Sequence, residues 1–166
     1  MRFTRVLIGI DQSPLGARAL EAGVALAEAC GAELGLVYVL DPRLFAGAQG
    51  GAPPGEVRSE FERAGRELLA TAATRAREGP APWQFVAWGA PADEIVGAAR
   101  AWRADLIVLG THGRSGVSRL LMGSTAEGVL RRASCPVLVV PVRTEEPPEE
   151  PPEAAGAARP ARRSHP

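Results

Sequence analysis

Along this chain, short unbroken apolar runs alternate with stretches whose apolar residues recur at helical spacing. A short apolar run bounded by glycine or polar residues predicts a strand buried on both faces, and a recurrence near 3.6 predicts an amphipathic helix. Val6 to Ile10 is the first such run. Ser13 then reads as a helix cap and Pro14 as the first helical residue, opening a helix that buries Leu15, Ala19, Gly23, Leu26 and Cys30 and stops at Gly31. Leu34 to Leu40 predicts the second strand, closed by an Asp41-Pro42 turn. Arg43 to Gly55 is rich in Gly, Ala and Pro without periodicity and reads as a mobile loop. A long helix follows, with Val57, Phe61, Ala64, Leu68 and Ala72 on its buried stripe and Arg58, Glu62, Arg66 and Arg75 on its solvated face. Trp83 to Trp88 predicts a third strand, and Gly89 and Pro91 lead into a helix burying Ile95, Ala99 and Trp102. Asp105 to Leu109, Ser124 to Arg132 and Pro136 to Pro141 complete the series as strand, helix and strand.

This alternation predicts an α/β fold: a doubly wound five-stranded parallel sheet with helices on both faces, formed by residues 1–142 as one domain. A ligand of such a sheet belongs beyond the C-terminal strand ends, where the strand order reverses. After Val142 the chain turns to Glu-Pro repeats and then to Ala, Gly, Arg and Pro, which cannot bury a core. Residues 143–166 are therefore expected to be a disordered Pro/Glu/Arg tail. Its acidic start and basic end (Arg159, Arg162, Arg163) fit a solvated tether or an interaction tail.

Composition narrows the function. Nineteen basic and nineteen acidic side chains cancel, leaving no net field towards nucleic acid or an anionic membrane. Asp11 interrupts the opening apolar run too early for a signal peptide or a membrane span, so a cytoplasmic protein is expected. The chain has no lysine. That excludes a Walker P-loop, a protein kinase and Schiff-base chemistry, each of which requires one. Cys30 and Cys135 lack disulfide or zinc spacing and read as small core residues. His112 is the one histidine within the predicted domain and has no assigned carboxylate partner, and Gly113-Arg114-Ser115-Gly116 is not a GxSxG elbow. No catalytic residue is assigned.

The stretch after the fourth strand carries the chemistry. Gly110-Thr111-His112-Gly113 lets the backbone turn and present bare N–H groups. Ser124 and Glu127 fit a capping box, so Gly123-Ser124-Thr125 begins a helix whose free amides and positive dipole end favour an anion. The glycines serve either a tight strand-to-helix connection alone or a phosphate cradle. Asp11 is either a helix-start carboxylate or a ligand contact.

The spacing Gly110-x2-Gly113-x9-Gly123-Ser124 resembles the nucleotide loop of the ATP-binding branch of the universal stress protein family. Gly9-Ile10-Asp11-Gln12-Ser13, Val37-Tyr38-Val39-Leu40-Asp41, Gly89-Ala90-Pro91 and Cys135-Pro136-Val137-Leu138-Val139-Val140-Pro141 agree with it in one colinear order over residues 3–142. Tyr38 departs from the pattern, since many relatives carry histidine there.

The resemblance implies an adenine nucleotide alpha hydrolase-like fold and an ATP site, with Mg²⁺ as the accompanying ion. Within that site Asp11 lies near ribose and phosphates with Ile10 and Pro14 beside it, and Val39 meets the adenine. Gly110 and Gly113 cradle ribose and phosphate, Gly123, Ser124 and Thr125 hold the phosphate chain, and Gly89 lines the pocket. Arg114 is placed by its charge to reach the phosphate tail. The implied function is a nucleotide-dependent stress-response sensor or signalling module rather than an enzyme, with at most slow, incidental ATP hydrolysis. The alternatives are a nucleotide-free dimeric interaction protein on the same fold and a weak ATPase. The family also implies a homodimer through the 136–141 strand, alongside a protein partner of unknown identity. Pro136 and Pro141 offer a competing reading as caps of that edge.

Overall fold

The computed structural model describes residues 2–44, 55–76, 79–111 and 122–141. The elements run β1 (Arg5–Ile10), α1 (Pro14–Cys30), β2 (Glu33–Leu40), a 3₁₀ turn (Pro42–Leu44), α2 (Gly55–Ala73), β3 (Trp83–Trp88), α3 (Pro91–Trp102), β4 (Leu106–Gly110), α4 (Ser124–Arg132) and β5 (Val137–Val140). All strand pairs are parallel, in the order β3-β2-β1-β4-β5. The chain thus builds outward from β1 through β2 to β3, then returns to the other side of β1 for β4 and β5. Parallel crossovers keep one hand, so reversing the direction of travel moves the helices to the opposite face.

The core has two halves as a result. Val6, Ile8, Leu36 and Val108 point towards Ala19, Leu20, Val24 and Ala27 of α1 and Leu69 and Ala72 of α2. Leu7, Val37, Ile107 and Leu109 point the other way, towards Ile95, Val96, Ala99 and Trp102 of α3 and Ala126 and Val129 of α4. Successive strand residues supply both faces, and this explains why β1 and β4 are unbroken apolar runs.

The α1 boundaries agree with the sequence reading: Ser13 Oγ accepts the Gly16 N–H, Pro14 opens the helix, and Gly31 ends it in a left-handed conformation. Its buried face is rotated from the expected one. Ala19 and Gly23 are buried as anticipated, but Leu20, Val24 and Ala27 accompany them, whereas Leu26 and Cys30 are only half-buried. On α2 the buried residues are Gly65, Leu69 and Ala72, and Ala64 is exposed. This helix lies over the margin of the sheet, on β2 and β3, where a narrow stripe suffices. Glu62, expected on the solvated face, accepts a hydrogen bond from Trp88 Nε1 at 2.8 Å and pairs with Arg58, which stacks on the same indole. Residues 45–54 of the expected loop and the 143–166 tail lie outside the described residues. Cys30 and Cys135 are both half-buried and unpaired with each other.

At the N-terminal edge of the sheet, Asp105 ties β4 to β1. Its carboxylate accepts from the Thr4 N–H (2.8 Å), the Thr4 hydroxyl (2.6 Å) and the Arg5 N–H (3.0 Å). Burial alone would push this carboxyl up, but these donors outweigh it and hold it below the usual aspartate value. A depressed folded-state pKa contributes stability that is complete above the unfolded value and is lost as the pH falls through the folded one. Asp105→Asn should therefore cost about 1–2 kcal/mol at neutral pH, a charge-assisted bond discounted for partial exposure. Urea denaturation of both proteins should show the gap closing below the ordinary aspartate pKa. A gap unchanged in acid would refute this assignment.

Candidate functional site

The reversal between β1 and β4 leaves their C-terminal ends without a covering crossover, and a cavity of about 290 Å³ opens there. Ile10, Asp11, Val39 and Asp41 line it from the β1 and β2 side. Gly110, Thr111 and Gly123 to Ala126 line it from the β4 and α4 side. Ile95 of α3 and Leu109 contribute apolar surface.

The end of β1 is held by a local network. Asp11 Oδ1 accepts from the Ser13 N–H at 3.0 Å and from Ser13 Oγ–H at 2.5 Å, and Ser13 Oγ in turn caps α1. Asp11 is therefore part of the helix entry and also a lining residue of the crevice. Gly16 permits this closeness, because a Cβ there would stand 2.8 Å from the Asp11 carbonyl oxygen and collide with Oδ1. A larger residue would have to push the start of α1 away from the crevice.

Across the crevice, backbone bonds lock α4 to the sheet. The Thr111 N–H donates to Val140 O (3.0 Å) and the Gly123 N–H to Thr111 O (2.6 Å). Gly123, not Ser124, is the N-cap, so Ser124, Thr125 and Ala126 fill the first turn, and the expected Ser124–Glu127 capping box does not form. Ser124 lies one position too far along to cap, and Glu127 pairs with Arg131 instead. The first N–H to bond back within the helix is that of Glu127, to Gly123 O at 3.0 Å. The amides of Ser124, Thr125 and Ala126 precede any intrahelical acceptor, and all three residues line the crevice. With no side-chain cap on Gly123, this helix end offers amides that have no acceptor among the described residues, and the positive end of its dipole.

Asp41 is a crevice residue that the sequence reading treated only as a turn. It is buried, and Arg43 grips it with its guanidinium, Nε and Nη2 lying 3.1 and 2.7 Å from Oδ2. That hydrogen bonding, with the Arg43 amide and its charge, outweighs burial and holds the carboxyl below its usual range. The available signal was positional: β1 and β2 are each followed directly by an aspartate, with a polar side chain two residues further on. The crevice is consequently polarised. Carboxylates stand at the β1 and β2 ends, and amide donors stand at the β4 and α4 end.

Of the residues singled out from the sequence, the structure brings together Ile10, Asp11, Val39, Gly110, Gly123, Ser124 and Thr125 around this cavity. Pro14 is the first residue of α1, next in sequence to the Asp11–Ser13 network. Gly89 stands outside the lining. Its N–H donates to Leu40 O at 3.1 Å, and a Cβ there would run into the Glu94 side chain, so its backbone serves the β2–β3 edge and the entry to α3. Pro91 lines the crevice in its place. His112, Gly113 and Arg114 lie outside the described residues.

Residues 2–141 match the model of the universal stress protein family. Universal stress protein MJ0531 of Methanocaldococcus jannaschii is 34% identical over 139 residues, covering 83% of this chain and 82% of the relative. Among solved structures, the hypothetical protein MJ0577 shares the fold with a TM-score of 0.76 at 23% identity, over 87% of this chain and 99% of that one. A universal stress protein in complex with cAMP superposes with a TM-score of 0.65 at 26% identity, over 84% of this chain and 98% of that one.

Proposed function

We propose that this chain, which belongs to the universal stress protein family, binds ATP in the crevice beyond β1 and β4 and acts as a nucleotide-dependent sensor or signalling module. The observation that carries this reading is the polarised lining. Triphosphate charge belongs against the amides of Ser124, Thr125 and Ala126 and away from the Asp41 end of the lining, with Mg²⁺ offsetting the repulsion where the chain passes Asp11. The strand order supports a direction for the rest of the ligand, because β1 lies between β2 and β4. The base then rests at the β2 end against Val39, and the ribose lies between, with Asp11 accepting from a hydroxyl. Gly110 allows close backbone approach, and Ser124 and Thr125 add hydroxyl donors. The complex of a related universal stress protein with cAMP, itself an adenine nucleotide, supports the ligand class.

A hard oxygen donor such as the Asp11 carboxylate suits Mg²⁺ held through water beside the phosphates. Binding rather than turnover is the function in this reading. Among the described residues the lining supplies no histidine to act as base, and Ser13 and Arg43 already hold its two carboxylates. Any hydrolysis through an Asp11-positioned water would be slow and incidental. Occupancy would change the surface offered to a protein partner by ordering the crevice rim.

In the same reading two copies pair through β5. Val137–Val140 is an edge strand, with Leu138 exposed on it. An apolar edge of this kind is protected by pairing with its copy across a two-fold axis.

Purified protein should release an adenine nucleotide detectable by mass spectrometry, or bind ATP with Mg²⁺ saturably in the micromolar-to-millimolar range by equilibrium dialysis. Gly123→Val should weaken that binding by about tenfold or more. It should leave the fold intact, since φ −60° and ψ 146° suit any residue. Absence of saturable binding, or full affinity in the variant, would sink the reading. Sedimentation should report a dimer for the parent protein and a monomer for Leu138→Arg. A monomeric parent, or a variant that still dimerises, would remove β5 as the interface.

A further inference from the structure

Two helix starts border the crevice, Pro91 and Ile95 from α3 and Ser124 to Ala126 from α4, and the two helices are fastened to each other away from it. Arg132, at the last turn of α4, forms an ion pair with Asp93 in the first turn of α3. The same guanidinium reaches back to Gly128 O at 2.9 Å, and Arg100 Nη2 donates to Arg132 O at 3.2 Å. Between these bonds the helices approach so closely that a Cβ on Gly128 would stand 2.8 Å from the Ala92 Cβ. Ala92 is itself buried in the half of the core shared with Ala126 and Val129. The other end of α4 is fixed to the sheet by the Gly123–Thr111 bond. Two separated attachments define the axis of a nine-residue helix. Helix amides point along that axis, so the attachments also set the direction in which the first-turn donors face.

We propose that Asp93, Arg132 and Gly128 are positioning residues of the triphosphate site, aiming the α4 amides into the crevice although none of the three lines it. The inference rests on the nucleotide reading above. It predicts an effect on phosphate affinity whose sign simple electrostatics does not give. Replacing Asp93 by Asn removes a negative charge that repels an anion in the crevice at a distance. If charge alone mattered, ATP would bind more tightly. If aim matters, releasing Arg132 lets α4 tilt, and ATP binds more weakly.

Isothermal titration of ATP and of adenosine into the parent protein, Asp93→Asn and Gly128→Ala is the test. Asp93→Asn should weaken ATP about three- to tenfold, and Gly128→Ala, which wedges α4 from Ala92, about tenfold. Adenosine affinity should change less than about twofold in both. Asp93 is more than half exposed, so its variant is expected to fold even if Gly128→Ala does not, and the sign of its effect then decides. Tighter or unchanged ATP binding by Asp93→Asn would overturn the inference, as would equal losses for ATP and adenosine. Failure of the parent protein to bind ATP would instead overturn the reading on which it rests.

Discussion

The N–H groups in the first turn of an α-helix have no carbonyl of their own helix to meet, and a fold must give them a partner or leave them facing solvent or ligand. In α1 the Ser13 hydroxyl takes up one of them. In α4 the N-cap is a glycine without a side-chain acceptor, and the amides of Ser124, Thr125 and Ala126 open onto the crevice. The rest of the arrangement brings that bare helix end to the right place. Strand reversal beside β1 creates the opening, the Thr111–Gly123 bond holds the helix at its rim, and the carboxylates gather on the opposite side.

This polarity connects the sheet to recognition. In the proposed reading, a ligand with a concentrated negative charge at one end and hydroxyls and an aromatic base at the other meets a lining graded from amides to aspartates. The grading follows from strand order, since β4 and β2 flank β1 on opposite sides. Arg43 keeps the second carboxylate from being an uncompensated buried charge, so Asp41 can stand inside the lining at little electrostatic cost.

Much of this was legible in the sequence. Doubly buried strands read as unbroken apolar runs, so the parallel arrangement of the strands and the position of the crevice followed from runs such as Val6–Ile10, Leu34–Leu40 and Asp105–Leu109. Ser13-Pro14 and Gly31 marked both ends of α1 because capping is local chemistry. Helix phase was less legible. Alanines and glycines crowd α1 and α2, and a small residue satisfies a core face and a margin alike, so Leu26 and Ala64 were assigned to faces that packing gave to Leu20 and Gly65. The N-cap of α4 was displaced by one residue for a comparable reason. Gly123 meets the cap geometry without a side chain, and the bond to Thr111 that fixes it depends on the returning chain. The Asp93–Arg132 pair is likewise a product of tertiary proximity, with partners that the linear spacing does not advertise.

The central claim is that the α4 amides receive a phosphate chain. It is tested most directly by ¹⁵N chemical-shift mapping with ATP–Mg²⁺ and with adenosine as the control. The account predicts large shifts at the Ser124, Thr125 and Ala126 amides with ATP that adenosine does not reproduce, while both ligands move the amides near Val39. Shifts that avoid the start of α4, or that are the same for the two ligands there, would contradict it.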